Sequence, residues 1–238
     1  MSSEIETLRQ WVSESRSIVF FGGAGVSTES GIPDFRSVDG LYNQHYKYPP
    51  EEIISHSFFE ANPEEFFRFY HDKLIFPDAR PNRAHLRLAE WEAEGKLSAV
   101  LTQNIDGLHQ AAGSRRVIEL HGSTRRCYCA SCGRHYDPIV INECSGVPRC
   151  DCGGVIRPDV VLYEEGLNQQ DLADAVSYIR KADMLIVGGT SLAVYPAAGL
   201  INYYRGNRLV LINLSATPRD SEADLVIHEK LGDVFAQL

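Results

Sequence analysis

The stretch Ser17 to Ser37, SIVFFGGAGVSTESGIPDFRS, decides how the rest of the chain is read. It opens with Ile18, Val19, Phe20 and Phe21, a continuous apolar run of the kind expected where both faces of a parallel sheet are covered. Gly22-Gly23-Ala24-Gly25 then breaks the run. Glycines directly after a buried strand let the backbone take left-handed dihedrals and approach a ligand closely. Their amides, with the start of the helix expected to follow, form a natural seat for a pyrophosphate. The plainer alternative is a tight strand-to-helix turn with no ligand, and a lone G-x-G does not choose between them.

The same stretch departs from the dinucleotide fingerprint. G-x-G-x-x-G would need a glycine at 28, where Thr28 stands, and no second strand ending in Asp or Glu follows about 20 residues later to hold a ribose. Gly31-Ile32-Pro33-Asp34-Phe35-Arg36 comes instead. A nucleotide fits this pattern; a standard hydride-transfer site does not.

A chain of 238 residues can bury a large core and, beside it, a small second unit. The net charge of -9 argues against nucleic acid as a main partner and suits one carrying lysines. Met1 to Ser15 is polar and amphipathic rather than signal-like, and Met184 to Leu200 is too short and too interrupted to span a membrane. Six cysteines, four of them close together, read as a cytoplasmic metal site rather than disulfides.

Ile5, Leu8, Trp11 and Val12 predict a helix over 3–14. Val38 to Pro50, rich in tyrosine, reads as a mobile loop able to cover a ligand. From Glu51 to Trp91 the pattern is helical, with Pro63 and Pro81 opening helices. Phe58 to Tyr70 reads as core. Leu97 to Leu101 is a strand running into Gln103, Asn104, Ile105 and Asp106; helix capping explains one of the polar residues well and all of Gln103, Asn104 and Asp106 poorly. Val117 to Leu120 is a short strand ending at His121, placed for a general base near neutral pH, although a structural histidine is the commoner case. Met184 to Val187 is a buried strand ending in Gly188-Gly189-Thr190-Ser191. Leu209 to Ile212 is another, ending at Asn213, and Leu225 to Ile227 is the last. Five strand ends, 22–25, 103–106, 121, 188–191 and 213, thus carry polar or glycine-rich residues. On alternating strand and helix units they imply one long cleft along a sheet edge, sized for a dinucleotide.

Between these strands lie Cys129-x-x-Cys132 and Cys150-x-Cys152, two knuckles 17 residues apart. Paired thiolates at this spacing predict one tetrahedral structural Zn2+ with a closed shell. Cys127 and Cys144 are spare, and Cys127 stands close enough in sequence to replace a ligand.

Taken together, GGAGVS at 22–27, GIPDFRS at 31–37, TQNIDGLH at 102–109, LHG at 120–122, the knuckles, GTSL at 189–192 and Ile212-Asn213 resemble the sirtuins, the silent-information-regulator-type NAD-dependent protein deacylases, in a bacterial-type, single-domain form. The resemblance covers nearly the whole chain. It implies a doubly wound, Rossmann-like parallel sheet binding NAD, here residues 1–123 and 158–238. A zinc-ribbon module at 124–157 would be inserted, with a helical insertion at about 38–91 in the same small lobe. It implies removal of acyl groups from lysine with NAD as co-substrate, giving nicotinamide and O-acyl-ADP-ribose. Carried onto this sequence, Gly23, Ala24, Gly25, Thr28, Phe35 and Arg36 would contact NAD. Gln103, Asn104, Ile105 and Asp106 would line the ribose and nicotinamide pocket, with Asn104 and His121 catalytic and His121 the base. Gly189, Thr190, Ser191, Asn213 and Leu214 would hold the adenosine half, and Cys129, Cys132, Cys150 and Cys152 the zinc. Val161 to Tyr163 would pair with an acyl-lysine peptide as an added strand. The expected protein is a cytoplasmic monomer without nucleic-acid or membrane partners. A mono-ADP-ribosyltransferase or a non-catalytic NAD or ADP-ribose sensor is the alternative.

Three departures stand out. The second knuckle is C-x-C, and Tyr163-Glu164-Glu165 replaces the Phe-Gly-Glu of many members. Members favouring acidic acyl chains carry Tyr-x-x-Arg where this chain has Tyr70 and Lys73, so acetyl-lysine is the expected substrate.

Overall fold

A computed structural model describes residues 3–35, 40–43 and 46–238. Its strands are β1 (Ile18–Gly22), β2 (Leu97–Thr102), β3 (Val117–Glu119), β4 (Gly122–Cys129), β5 (His135–Tyr136), β6 (Ile156–Val160), β7 (Met184–Gly188), β8 (Leu209–Ile212) and β9 (Leu225–Ile227). Six of them form one sheet in the order β3-β2-β1-β7-β8-β9, with every pairing parallel. The chain grows outward from β1 to β3, then returns to the other side of β1 at β7. The strand order therefore reverses between β1 and β7, where an open α/β sheet leaves its crevice.

The register aligns the strand ends. Gly22 lies opposite Thr102 and Gly188, Thr102 opposite Glu119, and Gly188 opposite Ile212. The five expected strand ends thus share one edge. Successive β1 side chains enter opposite cores, as the two-residue period of a strand requires. Ile18 and Phe20 pack with Leu8, Leu88, Trp91 and Phe235. Val19 and Phe21 pack with Ile179, Ile201 and Leu211.

No α-helix follows the glycine loop, contrary to expectation. Two 3-10 turns, Ala24–Val26 and Thr28–Ser30, stand there, and Gly31 ends them at φ 84°. The Val26 and Ser27 amides donate three residues back, to Gly23 and Ala24, while the Gly23 and Gly25 amides donate across to Gly188 and Gly189. The helix expected to open at Pro81 begins at Arg83, because the Asn82 side chain accepts from the amides of Ala84 and His85 and so caps it.

Strands β4, β5 and β6 make a second, antiparallel sheet in the order β5-β4-β6. Phe59, Phe66, Phe67 and Tyr70 share one core with Cys127, Cys129, Cys150 and Ile156 of this module. The aromatic cluster is thus core, and it joins the helices His56–Ala61 and Pro63–Lys73 to the cysteine module. Helix Arg83–Ala93 packs instead on the main sheet through Ala84, Leu88 and Trp91, while Ile53, Phe58 and Phe69 form a small cluster of their own, so the described residues of 38–91 divide among three clusters. Among the described residues, no helix is long and apolar enough to cross a membrane.

Candidate active site and metal centre

The loops that end β1 and β7 hold each other. The Gly25 amide donates to the Gly189 carbonyl at 2.8 Å, and the Gly23 amide to Gly188 at 3.3 Å. A Cβ on Gly25 would lie 2.8 Å from Gly189 Cα, and one on Gly23 2.7 Å from Thr190 Cβ. Gly189 has φ +61°, and its Cβ would fall 2.4 Å from the Val26 nitrogen. This packing alone demands glycine. It also brings bare backbone to the switch point, where a ligand can approach closely, although the Gly23 and Gly25 amides expected to seat a pyrophosphate are spent on β7. Beside it, Asn213 Oδ1 accepts from the Thr190 amide at 2.9 Å, while Asn213 Nδ2 is buried without a partner. A buried donor left open at a strand end fits a ligand acceptor there, since buried amides otherwise find partners. The cradle and the open donor both suit a dinucleotide.

Gln103 ties three strand ends together. Its amide donates to the Gly22 carbonyl, its Nε2 donates to Thr190 Oγ1 at 3.0 Å, and its carbonyl accepts from His121 Nδ1 at 3.0 Å. Burial pushes the His121 imidazole below its ordinary pKa, opposed by the bond to Gln103. A neutral ring bonded through Nδ1 carries its hydrogen there, and Nε2 keeps a lone pair.

Asn104 and Asp106 meet at Ser27. Asn104 Nδ2 donates to Ser27 Oγ at 3.1 Å, and Ser27 Oγ donates to Asp106 Oδ2 at 2.6 Å. Asp106 Oδ1 also accepts from the Leu108 amide, so capping explains half of this carboxylate and the Ser27 contact the other half. Ile105 is fixed by its carbonyl, which accepts from both the amide and the hydroxyl of Thr124. Behind Ser27 sits His85. The Asn82 amide donates to His85 Nδ1, which leaves Nε2–H facing Ser27 Oγ at 3.5 Å. The His109 ring packs against His85 with centroids 4.7 Å apart, and neither of its nitrogens has a partner. Burial lowers His85 to about 4 and His109 to about 3, so both rings are neutral at pH 7.

The sequence reading missed Ser27 and His85. Ser27 stands inside the quoted stretch. The spacing Asn82-x-x-His85, a capping pair, was the available sign for the histidine. The other expected residues fall as follows. Ala24 and Gly25 are half-buried, and Thr28 Oγ1 donates to the Gly25 carbonyl. The Phe35 ring meets Tyr42 edge-on, with centroids at 5.4 Å. Ser191 is exposed and Leu214 is 64 % exposed after β8. Arg36, and residues 38–39 and 44–45 of the expected covering loop, lie outside the described residues.

The four expected thiols come together. Cys129 Sγ lies 3.5 Å from Cys152 Sγ and Cys132 Sγ 3.7 Å from Cys150 Sγ, and all four fall within 4.8 Å of one another. Zn–S bonds of about 2.3 Å at tetrahedral angles put sulfurs about 3.8 Å apart, so the cluster fits one zinc despite the short C-x-C knuckle. The Cys132 amide foremost holds the Cys129 thiol below its ordinary pKa, and the Cys152 amide, then the Tyr136 hydroxyl, hold Cys150 at about 6. Cys127 and Cys144 stand apart and donate to the carbonyls of Tyr136 and Gly146.

A parallel sheet with a bare-backbone crevice at its switch point, joined to a four-thiol ribbon, defines a dinucleotide-binding fold with a structural metal module. The model of the Sir2 family matches residues 23–196. An NAD-dependent protein deacetylase of Clostridium perfringens is 58% identical over 242 aligned residues, covering 100% of this chain and 99% of that protein. Another of Clostridium acetobutylicum is 59% identical, covering 98% and 96%. A solved Sir2 structure with p53 peptide and NAD+ is 42% identical at a TM-score of 0.88, covering 100% of this chain and 97% of that one. The chain belongs to the Sir2 family.

Proposed function

We propose that this protein removes acetyl groups from protein lysine side chains, with NAD as co-substrate and one structural zinc. The observation that carries this is the neutral His121, bonded through Nδ1 to Gln103 at the edge shared with the glycine cradle and with Asn104 and Asp106. NAD supplies a glycosidic bond whose cleavage frees nicotinamide and makes the ribose carbon available to the acyl oxygen. His121 Nε2 is the base that accepts a proton from a ribose hydroxyl. Asn104 and Asp106, aligned by Ser27, orient the nicotinamide end, while Ile105 closes that pocket. Gly23, Ala24, Gly25, Thr28, Phe35 and Arg36 contact NAD. Gly189, Thr190, Ser191, Asn213 and Leu214 hold the adenosine. The two clostridial relatives bear this name, and the similar Sir2 structure is described with peptide and NAD+.

Acetyl rather than an acidic acyl chain is the substrate we propose. Tyr70 is buried among Phe66 and Phe67, and Lys73 faces Asp72 at 3.1 Å and the Tyr46 ring. We further propose the division into a NAD domain, 1–123 with 158–238, and a zinc ribbon, 124–157, in a monomeric cytoplasmic protein. The acidic charge supports a basic, lysine-bearing partner over nucleic acid. Incubation with NAD and an acetyl-lysine peptide tests the reading. Nicotinamide and O-acetyl-ADP-ribose are expected only when both are present. Transfer of label from NAD to protein without an acyl peptide contradicts it.

A further inference from the structure

Tyr163 ends the extended stretch after β6. Its amide donates to the Ile54 carbonyl and its carbonyl accepts from the His56 amide, both at 3.0 Å. The next residue, Glu164, has φ +75°, a conformation that side chains other than glycine rarely adopt. Its carboxylate is held by the Ser57 amide at 2.9 Å and the Ser57 hydroxyl at 3.0 Å. Glu165 then pairs with the buried Arg157 and accepts from the Leu162 amide. The backbone of Tyr163 is therefore fixed from both sides, while the residue stays 38% exposed.

That side chain reaches the other half of the cleft. The Tyr163 hydroxyl lies 2.8 Å from the Tyr42 hydroxyl. The Tyr42 amide donates to the Phe35 carbonyl at 2.9 Å, and the two rings meet edge-on. A contact chain Phe35–Tyr42–Tyr163 thus joins the segment that follows the glycine cradle to the stretch expected to meet peptide.

We propose that Tyr42 and Tyr163 are a positioning pair that couples the two substrate sites, an inference that rests on the function proposed above. A peptide resting on the exposed Tyr163 ring restrains that side chain, since the amides of 161–163 are already held by His121, Glu165 and Ile54; the hydroxyl bond restrains Tyr42, and Tyr42 sets the Phe35 ring against the dinucleotide. Coupling of this kind is reciprocal: NAD or ADP-ribose must tighten the peptide by the factor by which the peptide tightens it. Phenylalanine at either position keeps the ring and removes the bond. Loss of one neutral hydrogen bond reads as about a three- to tenfold change.

The test is calorimetry with ADP-ribose and an acetyl-lysine peptide, each titrated with and without the other, on the wild type, Y42F, Y163F and the double variant. The expected result is an equal coupling factor in both directions in the wild type. Either single variant lowers it about three- to tenfold, and the double lowers it no further. An unchanged factor in all four proteins overturns the pair, as do losses that multiply in the double variant. Wild type that binds both ligands without coupling also overturns the pair alone. Wild type that binds neither overturns the proposed function and the pair with it.

Discussion

The Nδ1 atom of His121 lies 3.0 Å from the backbone oxygen of Gln103. A carbonyl oxygen can only accept, so this contact assigns the ring hydrogen to Nδ1 and the lone pair to Nε2. The partner is backbone, held in turn by the Gln103 amide on Gly22. The tautomer is thus set by the sheet edge itself.

The pH profile follows. Burial depresses the His121 pKa below its ordinary 6.5. The neutral, competent form is present above the depressed value and is lost as pH falls through it. The acid limb of kcat/KM is expected below pH 6.5. A limb above pH 6.5 in the wild type contradicts the depressed imidazole.

His85 and His109 make a separate demand on stability. Both are depressed by burial, to about 4 and about 3. The unfolded chain takes up their protons near 6.5 and the folded protein does not. Stability therefore falls as pH drops below about 6.5 toward those values. At roughly 1.4 kcal/mol per unit, the pair withdraws on the order of 6 kcal/mol by pH 4. In His109→Leu, which replaces a ring with two unpartnered nitrogens, the loss between pH 7.5 and pH 5 should shrink by about 2 kcal/mol. Urea unfolding at the two pH values measures it. The same acid loss in variant and wild type contradicts the depressed His109.

The metal assignment separates six cysteines into four and two. Serine at Cys129, Cys132, Cys150 or Cys152 should abolish stoichiometric zinc. It should also loosen the core in which Cys129 and Cys150 pack with Phe66 and Phe67. Serine at Cys127 or Cys144 should retain one zinc per chain by elemental analysis. Loss of zinc in Cys127→Ser at intact fold would make Cys127 a ligand.

The sheet was legible because its strands are short apolar runs, such as Ile18 to Phe21, and each ends in residues a buried strand would not tolerate. The thiol set was legible because its spacing is local. The 3-10 turns after Gly23 were not: this loop packs against Gly188 and Gly189, far along the chain, and no local signal marks that contact. Helical periodicity alone could not divide 51–91: Phe66 and Leu88 read alike in sequence, yet one packs on the cysteine module and the other on the main sheet. His85 escaped for the same reason. Its meaning lies in Ser27 and Asp106, which only the fold brings to it.

The most direct measurement is mass spectrometry of an acetyl-lysine peptide incubated with the protein, with and without NAD, beside His121→Ala. Loss of the acetyl group that requires NAD, with O-acetyl-ADP-ribose formed and both abolished in the variant, is the expected result. An unchanged peptide in the presence of bound NAD and zinc, or equal turnover by His121→Ala, would contradict it.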